Sequence, residues 1–334
     1  CLLNFDGATG YLVGEENKGL HYMFTFMNFA RLGTGLQGLA HSELAFQNSL
    51  AYARDRLQMR SLSGPKNPAG PADPIIVHPD VRRMLLTQKA FAEGGRALIY
   101  FATTQADILT KSDDPEAREL ANHVLSFLTP IIKAFLTETG FESANLGLQC
   151  FGGHGYINEW GVEQNVRDAR ISMLYEGTTG IQALDLLGRK VLGTRGKALA
   201  PVTGFILDFC KRSRSRKELR PYLKTLVRLT KQWQSLTRKI GFAAMRDRDA
   251  VGAASVDYIM FSGYVLLGVA WAASARAAYR RLEQGTTEEA FYRAKIRTAE
   301  FYFAKILPRT TSLLETMSAG PESLMKMDEN EFTF

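Results

Sequence analysis

The stretch LHYMFTFMNFARLGTGLQGLAHSELAFQNSLAYARDRL, residues 20–57, contains no proline, and its apolar residues recur at spacings of three and four. This spacing gathers apolar side chains on one face of an α-helix. We therefore predict one long helix over these residues. The same periodicity predicts helices over residues 79–110, 115–138 and 141–150, and another from Thr179 to about Leu192.

Proline and glycine interrupt the helical pattern at two places. The segment SLSGPKNPAGPADP, residues 61–74, has four prolines and two glycines and is predicted to be a loop. Gly152, Gly153 and Gly155 end the helical pattern that precedes them. These interruptions separate long helices from one another.

The first residues differ from all that follows. LLNFDGATGYLV, residues 2–13, alternates around turn residues as a strand does. We interpret residues 1–17 as the end of a β-rich domain whose remainder is absent. Because the chain also begins at Cys1 and not at methionine, we expect it to be a C-terminal fragment.

The sequence changes character after Gly196. Residues 258–275 carry no charge, but glycines and alanines dilute this run, so we predict a buried core helix and no membrane span. Four amphipathic stretches predict a helical bundle packed as a separate unit, over residues 201–212, 218–246, 250–282 and 286–318. The predicted domains are residues 1–17, 18–195 and 196–334.

The basic excess of the chain lies in its C-terminal part. Lysine and arginine total 41 against 34 acidic residues, and residues 201–334 hold 22 of the former and 14 of the latter. Such an excess attracts a polyanion or forms a solvated basic face, and the second reading is the more common one. Residues 211–217, the densest basic run, are predicted to be an exposed connector between helices.

Cysteine and histidine are sparse. The three cysteines and five histidines are scattered, which is not the spacing of a disulfide framework or a metal site. We therefore expect no metal and a reducing cytoplasmic location.

Two neighbouring segments carry the polar residues of interest. In QCFGGHGYINEW, residues 149–160, the glycines allow backbone N–H groups to approach a phosphate or ring closely, although no P-loop lysine is present. In LYEGTTGIQALDLLGRK, residues 174–190, Thr179 and Gln182 form a predicted capping box that leaves Glu176 just outside the helix. The helix dipole favours a carboxylate there, so the local sequence favours a capping role over catalysis.

These segments resemble a known family. QCFGGHGY, EWGVEQNVRDARISMLYEGTTGIQALDLLGRK and the long helix with the preceding VGEENKG are similar to the C-terminal α-helical domain of acyl-CoA dehydrogenases. These flavoenzymes introduce the α,β double bond into acyl-CoA thioesters. The resemblance covers residues 11–192 and implies an all-α fold, a four-helix-bundle domain followed by an additional helical bundle. The ending TTGIQALDLLGRK and the extra bundle look most like the larger bacterial branch that includes 3-methylmercaptopropionyl-CoA and long-chain enzymes.

The resemblance implies roles for residues near the substrate. Glu176 aligns with the base that removes the α-proton, and relatives that place this glutamate on the first long helix have it where this chain has Ala30. Arg31 and Asn28 correspond to residues near the acyl-CoA, and Gly177 leaves room for it. Burial between acyl chain and flavin is expected to make Glu176 a stronger base than in water, while its backbone N–H helps to stabilise the enolate.

The resemblance also implies contacts with FAD. Arg56 matches an arginine that reaches the diphosphate, although the family's aromatic and glycine are replaced after it by Leu57-Gln58-Met59-Arg60. His78 is a further candidate. The turn expected to contact the adenosine half of a neighbouring subunit's FAD comprises Gln149, Cys150, Phe151, Gly152 and Gly153, and the cofactor is touched again at Thr178, Thr179 and Gly180.

The implied partners are an acyl-CoA substrate, electron-transfer flavoprotein as electron acceptor, and further copies of the chain in a dimer or tetramer. Some relatives instead have a basic C-terminal bundle that binds DNA, with weak dehydrogenase activity. We expect the bundle here to cover the dehydrogenase domain and line the acyl channel, and nucleic-acid binding is not expected. A purely structural Glu176 is the remaining alternative.

Overall fold

The computed structural model describes residues 2–334, without the side chains of Phe24 and Thr25. The helices are α1 (Gly19–Asp55), α2 (Pro79–Lys111), α3 (Pro115–Phe151), α4 (Gly153–Tyr156), α5 (Val162–Ile171), α6 (Thr179–Leu184), α7 (Leu199–Ser213), α8 (Arg220–Ala244), α9 (Asp249–Glu283), α10 (Glu289–Phe301), α11 (Thr310–Ser318) and α12 (Glu322–Met325). A π-helix (Asp185–Leu192) continues α6, and a π-helix (Tyr302–Ile306) continues α10. Short 3-10 turns are Ile75–Val77, Asn158–Trp160, Lys217–Leu219, Leu307–Arg309 and Glu329–Glu331. The predicted all-α class is confirmed.

The long helices α1, α2 and α3 pack side by side, and small residues bring their backbones together. A Cβ on Gly140 would lie 2.5 Å from the Gly38 carbonyl oxygen, and a Cβ on Gly38 would overlap the Leu136 carbonyl. The prediction of separate helices over residues 115–138 and 141–150 is wrong because Gly140 does not end α3. It lies inside the helix, where α1 crosses.

The proline-rich loop forms as predicted, and a buried carboxylate organises it. Asp73 accepts backbone N–H bonds from Ser61 at 2.8 Å, Lys66 at 2.9 Å and Asn67 at 2.7 Å. Burial opposes ionisation of this carboxyl group, but these hydrogen bonds hold its pKa at about 2. Arg60 donates to the Asn67 and Gly70 carbonyls, so this residue, a departure from the family pattern, holds the loop.

The first segment does not form the predicted strand. Residues 2–13 are exposed and have no strand in the part of the chain that the structure describes. A strand needs a neighbouring backbone for its ladder of hydrogen bonds. The described residues contain one isolated β-bridge, between Leu57 and Pro74.

The C-terminal bundle shares its hydrophobic core with the preceding helices. Gly263 of α9 lies directly against the Phe135 ring, and the Trp271 indole N–H donates to the Ala90 carbonyl at 3.1 Å. One continuous cluster of buried residues joins both parts. The prediction of a separately packed bundle is therefore wrong, while the domain bounds stay a prediction. The predicted helix over residues 286–318 is also interrupted, at the 3-10 turn that contains Pro308.

Two described helices, α3 and α9, are long and apolar enough to cross a membrane. Within the protein, 72% of the apolar window of α3 and 78% of that of α9 are buried. Both pack as core helices, and the prediction that residues 258–275 form a buried core helix is confirmed.

Candidate active site

Glu176 lies in the loop between α5 and α6, in an unusual backbone conformation. Its φ is +57° and that of Gly177 is +89°, so two successive residues occupy left-handed space. A non-glycine residue there is uncommon and strained, and the surrounding structure must hold it. The Lys133 ammonium donates to the Gly177 carbonyl at 2.7 Å, and the Gln182 amide donates to the Glu176 carbonyl at 3.0 Å. The loop is thus fixed by its carbonyl groups, which leaves the half-buried Glu176 carboxylate free for other contacts.

The capping of α6 differs from the predicted capping box. The helix begins at Thr179 as predicted, but the N-cap is Thr178, whose hydroxyl accepts the Ile181 N–H at 3.3 Å. Thr179 instead donates its hydroxyl to Glu138 at 2.6 Å. Gln182 does not close a box, because its amide reaches past the cap to the Glu176 carbonyl.

Lys133 is the functional candidate that sequence reasoning missed. It is fully buried in α3, and burial lowers the pKa of its ammonium group to about 8, with attraction to Glu138 and Glu176 opposing that shift and repulsion from Arg31 adding to it. Lys133 thus interacts electrostatically with both Arg31 and Glu176, and we call these three residues the Glu176 cluster. The available signal was a lone lysine inside the apolar run Pro130–Leu136.

Arg31 contributes to this cluster from α1 and is only 9% exposed. It forms an ion pair with Asp185 at 3.7 Å, and Asp185 also pairs with Arg189 and Lys190. Its Nε is buried and has no hydrogen-bond partner among the described residues. A buried donor without a partner is costly and marks a site where a ligand oxygen would fit.

Two other predicted substrate residues flank the cluster. Asn28 is half-buried, one turn before Arg31 on α1. Gly177 carries no side chain beside Glu176, and a Cβ there would lie 2.5 Å from the Gln182 amide nitrogen. Tyr175 donates its hydroxyl to Gln37, which ties the loop to α1.

A second group of predicted residues lies at the other end of α1. Arg56 caps α1 and is exposed, 25 residues beyond Arg31, which is roughly 37 Å along a helix axis. A cleft of about 550 Å³ opens beside it. It is lined by Asn48, Ala51, Tyr52, Asp55, Arg56, Phe151, His154, Trp160 and Val162. The predicted cofactor residues therefore form two groups, one at the start of α6 beside Glu176 and one at the C-terminal end of α1.

The cleft has aromatic walls and an open glycine turn. Tyr52 stacks on Phe151 with ring centres 4.1 Å apart, and His154 stacks on Trp160 at 4.8 Å. Exposed Gly152 has φ +58°, and a Cβ there would have nothing within 4 Å. The Gly152 N–H already donates to the Gln149 carbonyl at 3.1 Å, so the features that fit an adenine ring and phosphates are the aromatic rings, Arg56 and the open space over the glycine turn.

Some predicted FAD contacts are engaged elsewhere or face another way. The Cys150 thiol packs in the core beside Ala53 and Met84, and burial raises its pKa to about 11. His78 donates its Nε2–H to the Gln58 carbonyl at 2.8 Å and does not line the cleft. Of the remaining residues, exposed Gln149 and Gly153 do not line the cleft but lie near its Phe151 and His154 in the sequence, whereas Thr178, Thr179 and Gly180 lie at the start of α6, beside Glu176.

Within residues 2–334, no three histidine, cysteine, aspartate or glutamate side chains are grouped as a metal would require.

The chain belongs to the acyl-CoA dehydrogenase family, as the resemblance implied. Residues 17–192 match the family described as acyl-CoA dehydrogenase, C-terminal domain, and residues 202–328 match that described as acetyl-CoA dehydrogenase C-terminal like.

Among its relatives, the chain is 42% identical to 3-methylmercaptopropionyl-CoA dehydrogenase of Ruegeria pomeroyi, over 97% of the chain and 55% of that protein. It is 34% identical to the broad-specificity linear acyl-CoA dehydrogenase FadE5 of Mycobacterium tuberculosis, over the same shares of each. The fold matches an acyl-CoA dehydrogenase from Bacillus anthracis solved with FAD, with a TM-score of 0.70 and 18% identity, over 91% of this chain and 51% of that one. The chain spans about half the length of the curated relatives it matches.

Proposed function

We propose that this chain is the base-bearing part of an FAD-dependent dehydrogenase that converts an acyl-CoA thioester to the trans-2-enoyl-CoA. The observation that carries the proposal is the Glu176 loop, in which a strained backbone, held at the Glu176 and Gly177 carbonyl groups, presents a carboxylate near the buried Lys133 ammonium. Strain of this kind persists where the surrounding structure over-determines it, and it is concentrated at active sites.

Glu176 removes the α-proton in this proposal. Lys133 supplies a positive charge near the Glu176 carboxylate in the resting site. An acyl chain that enters beside Glu176 displaces water. The loss of solvation makes the carboxylate a stronger base than it is in water. The Glu176 backbone N–H donates to the thioester oxygen as the enolate forms.

Arg31 orients the substrate. Its unpartnered Nε supplies one hydrogen bond to an oxygen of the acyl-CoA, and its ion pair with Asp185 keeps the guanidinium in place. Asn28 presents an amide on the same side of α1. Lys133 acts through the backbone, since it holds the Gly177 carbonyl and so positions the loop.

The described residues fit FAD in two places. The first is the start of α6, where Thr178, Thr179 and Gly180 present backbone N–H groups beside Glu176. The second is the aromatic cleft at Arg56 and the glycine turn, which would take the adenosine half of the FAD of a neighbouring subunit. Bound FAD supplies the acceptor for the β-hydrogen, which leaves as hydride.

The proposed setting follows from this chemistry. The enzyme would act in fatty acid β-oxidation in the cytoplasm as a homo-oligomer, with electron-transfer flavoprotein taking the electrons. Support for an oligomer comes from the roughly 37 Å along α1 between Arg31, near the proposed reaction site, and Arg56 in the aromatic cleft, since one bound FAD would have to serve both places.

The test is an anaerobic titration of the full-length protein with a panel of acyl-CoAs, followed by the flavin absorbance. Rapid bleaching by at least one acyl-CoA is expected, and the most effective member identifies the acyl class. A protein that contains FAD but is bleached by no member of the panel contradicts the proposal.

A further inference from the structure

A long apolar cavity lies where the dehydrogenase helices meet the C-terminal bundle. Its volume is about 590 Å³, which is within the range of small-molecule sites. Helices α2 and α3 form one side, and α7 and α9 form the other. The buried wall residues include Leu98, Leu128, Val202, Ile206, Leu266 and Val269. None of the lining residues belongs to the Glu176 cluster or to the cleft at Arg56.

The cavity is elongated and ends at a cation. Along α9 its lining runs from Leu266 to Ala277, eleven residues or roughly 16 Å of helix, with Arg276 near the end. Along α7 it runs from Pro201 to Phe209. Here the Arg276 guanidinium lies 4.8 Å from the Phe209 ring centre and donates to the Ser213 hydroxyl at 2.9 Å. An apolar channel therefore leads to a charged end.

A second, cationic cavity of about 270 Å³ adjoins that end. The two cavities share Ala273, Arg276 and Ala277. The arginines that line the second cavity are Arg212, Arg216, Arg276 and Arg280. The basic run at residues 211–217 thus contributes to a concave surface.

The charge of this arginine cluster is only partly neutralised. Arg212 pairs with Asp208 at 2.7 Å, and Arg216 forms a two-pronged pair with Glu283 at 2.6 and 2.8 Å. Arg276 and Arg280 are exposed and form no ion pair with any residue in the described range 2–334. Two guanidinium groups therefore remain without an acidic partner, Arg276 at the end of the apolar cavity and Arg280 in the adjoining cavity.

We propose that the paired cavities bind one fatty acyl chain that carries an anionic head group. The chain would occupy the apolar cavity, and a carboxylate or phosphate would bind Arg276 and Arg280, since guanidinium forks match both oxyanions. The site is independent of the reaction at Glu176, so an acyl anion bound there adds a second ligand to the protein.

Calorimetric titration of the full-length protein with octanoate, decanoate, dodecanoate, dodecyl phosphate and dodecanol tests the ligand class. Affinity should rise about fourfold for each methylene added, until the cavity is filled. Dodecanol should bind about tenfold more weakly than dodecanoate, because it offers no charge to the arginines. The stronger of dodecanoate and dodecyl phosphate identifies the preferred head group, whereas absence of binding by both overturns the proposal.

Variants locate the site. Ala270→Trp fills the cavity, and Arg276→Gln removes the charge at its end; each should weaken dodecanoate binding about tenfold or more and leave acyl-CoA oxidation unchanged. Arg293→Gln is the matched control, since Arg293 is exposed and paired with Glu289 outside both cavities. If Ala270→Trp does not fold by circular dichroism, Ala273→Leu replaces it.

Wild-type affinity in both the cavity variant and Arg276→Gln overturns the proposal. A second overturning result is retention of DNA on a filter at ~150 mM salt that is lost in Arg276→Gln, with no dodecanoate binding. That result would assign the arginines to phosphates of a nucleic acid.

Discussion

The buried ammonium of Lys133 lies 2.7 Å from the carbonyl oxygen of Gly177, the residue that follows Glu176 in the chain. A cation from the middle of α3 thus holds the turn on which the proposed base is carried. The cap of α6 and the Gln182 amide complete this support.

Glu176→Gln should lower the rate of acyl-CoA oxidation by about a thousandfold, because a positioned general base contributes 10²–10⁴ and the amide cannot accept the α-proton. The rate of anaerobic flavin reduction measures this directly. Exposed Glu119, replaced by Gln, is the control and should keep the wild-type rate. A Glu176→Gln enzyme that reduces its flavin at the wild-type rate would falsify the catalytic role.

Lys133→Met should reduce both stability and turnover. It removes a buried charge-assisted hydrogen bond and leaves the Gly177 carbonyl without that donor, at a cost of about 1–3 kcal/mol in the free energy of unfolding. Urea unfolding measures the loss. Turnover should fall with little change in KM if Lys133 acts only by positioning Glu176.

The pH dependence of the free energy of unfolding is a separate check on Lys133. The folded-state pKa of Lys133, about 8, is below its ordinary value of 10.5, so the unfolded chain binds more protons between these pH values. Stability contributed by this residue therefore rises with pH from about 8 to 10.5. Lys190, whose pKa burial also lowers to about 8, adds a similar slope. Between pH 8 and 10.5 the free energy of unfolding should rise more for the wild-type protein than for Lys133→Met. Equal slopes of this free energy against pH would contradict the lowered pKa of Lys133.

Gly153→Leu should lower FAD content while preserving the fold. A Cβ at Gly153 meets nothing within 4 Å, so the side chain extends over the glycine turn and not into the core. Flavin absorbance per protein measures the FAD content, and the melting temperature measures whether the fold is preserved. Gly204→Leu is the matched control, because Gly204 also has open space around it but lies on α7. Full FAD content in Gly153→Leu would exclude the turn from the cofactor site.

Gly38→Ala should destabilise the protein by about 1–3 kcal/mol or more, since its methyl group would overlap the Leu136 backbone. Gly33→Ala, on the same helix with nothing within 4 Å, should instead stabilise by about 0.5–1 kcal/mol. Chemical unfolding of both variants measures the contrast. Equal effects would mean that the helices can separate without cost.

Local periodicity predicted most of the helices. It failed where contacts with residues distant in the sequence decide where a helix begins or ends. Glycine is a helix-breaking residue type, but Gly140 lies inside α3, where its lack of a side chain lets the Gly38 backbone of α1 approach closely. The predicted cap at Thr179 does not form because the Thr179 hydroxyl donates to Glu138, 41 residues away, and Thr178 caps α6 instead. Both outcomes depend on packing that spacing along one helix does not encode.

Only some residues of the candidate site could be predicted from the sequence, and their roles remain predictions. The resemblance pointed to Glu176 and Arg31, and the structure brings them into one electrostatic cluster with Lys133. Lys133 itself has no neighbouring polar residue in the sequence to mark it. Its significance comes from a carbonyl group 44 residues further along the chain.

Trp271 and Phe135 join the C-terminal bundle to the preceding helices. Their contacts couple the folding of the two matched segments, residues 17–192 and 202–328. Ending the chain near residue 195 would strip the covering from Phe91, Phe135 and Ala90 and leave a large apolar face in water. Heating or denaturant should consequently melt both segments in one cooperative transition, and a truncated product should aggregate instead of surviving as a smaller folded unit.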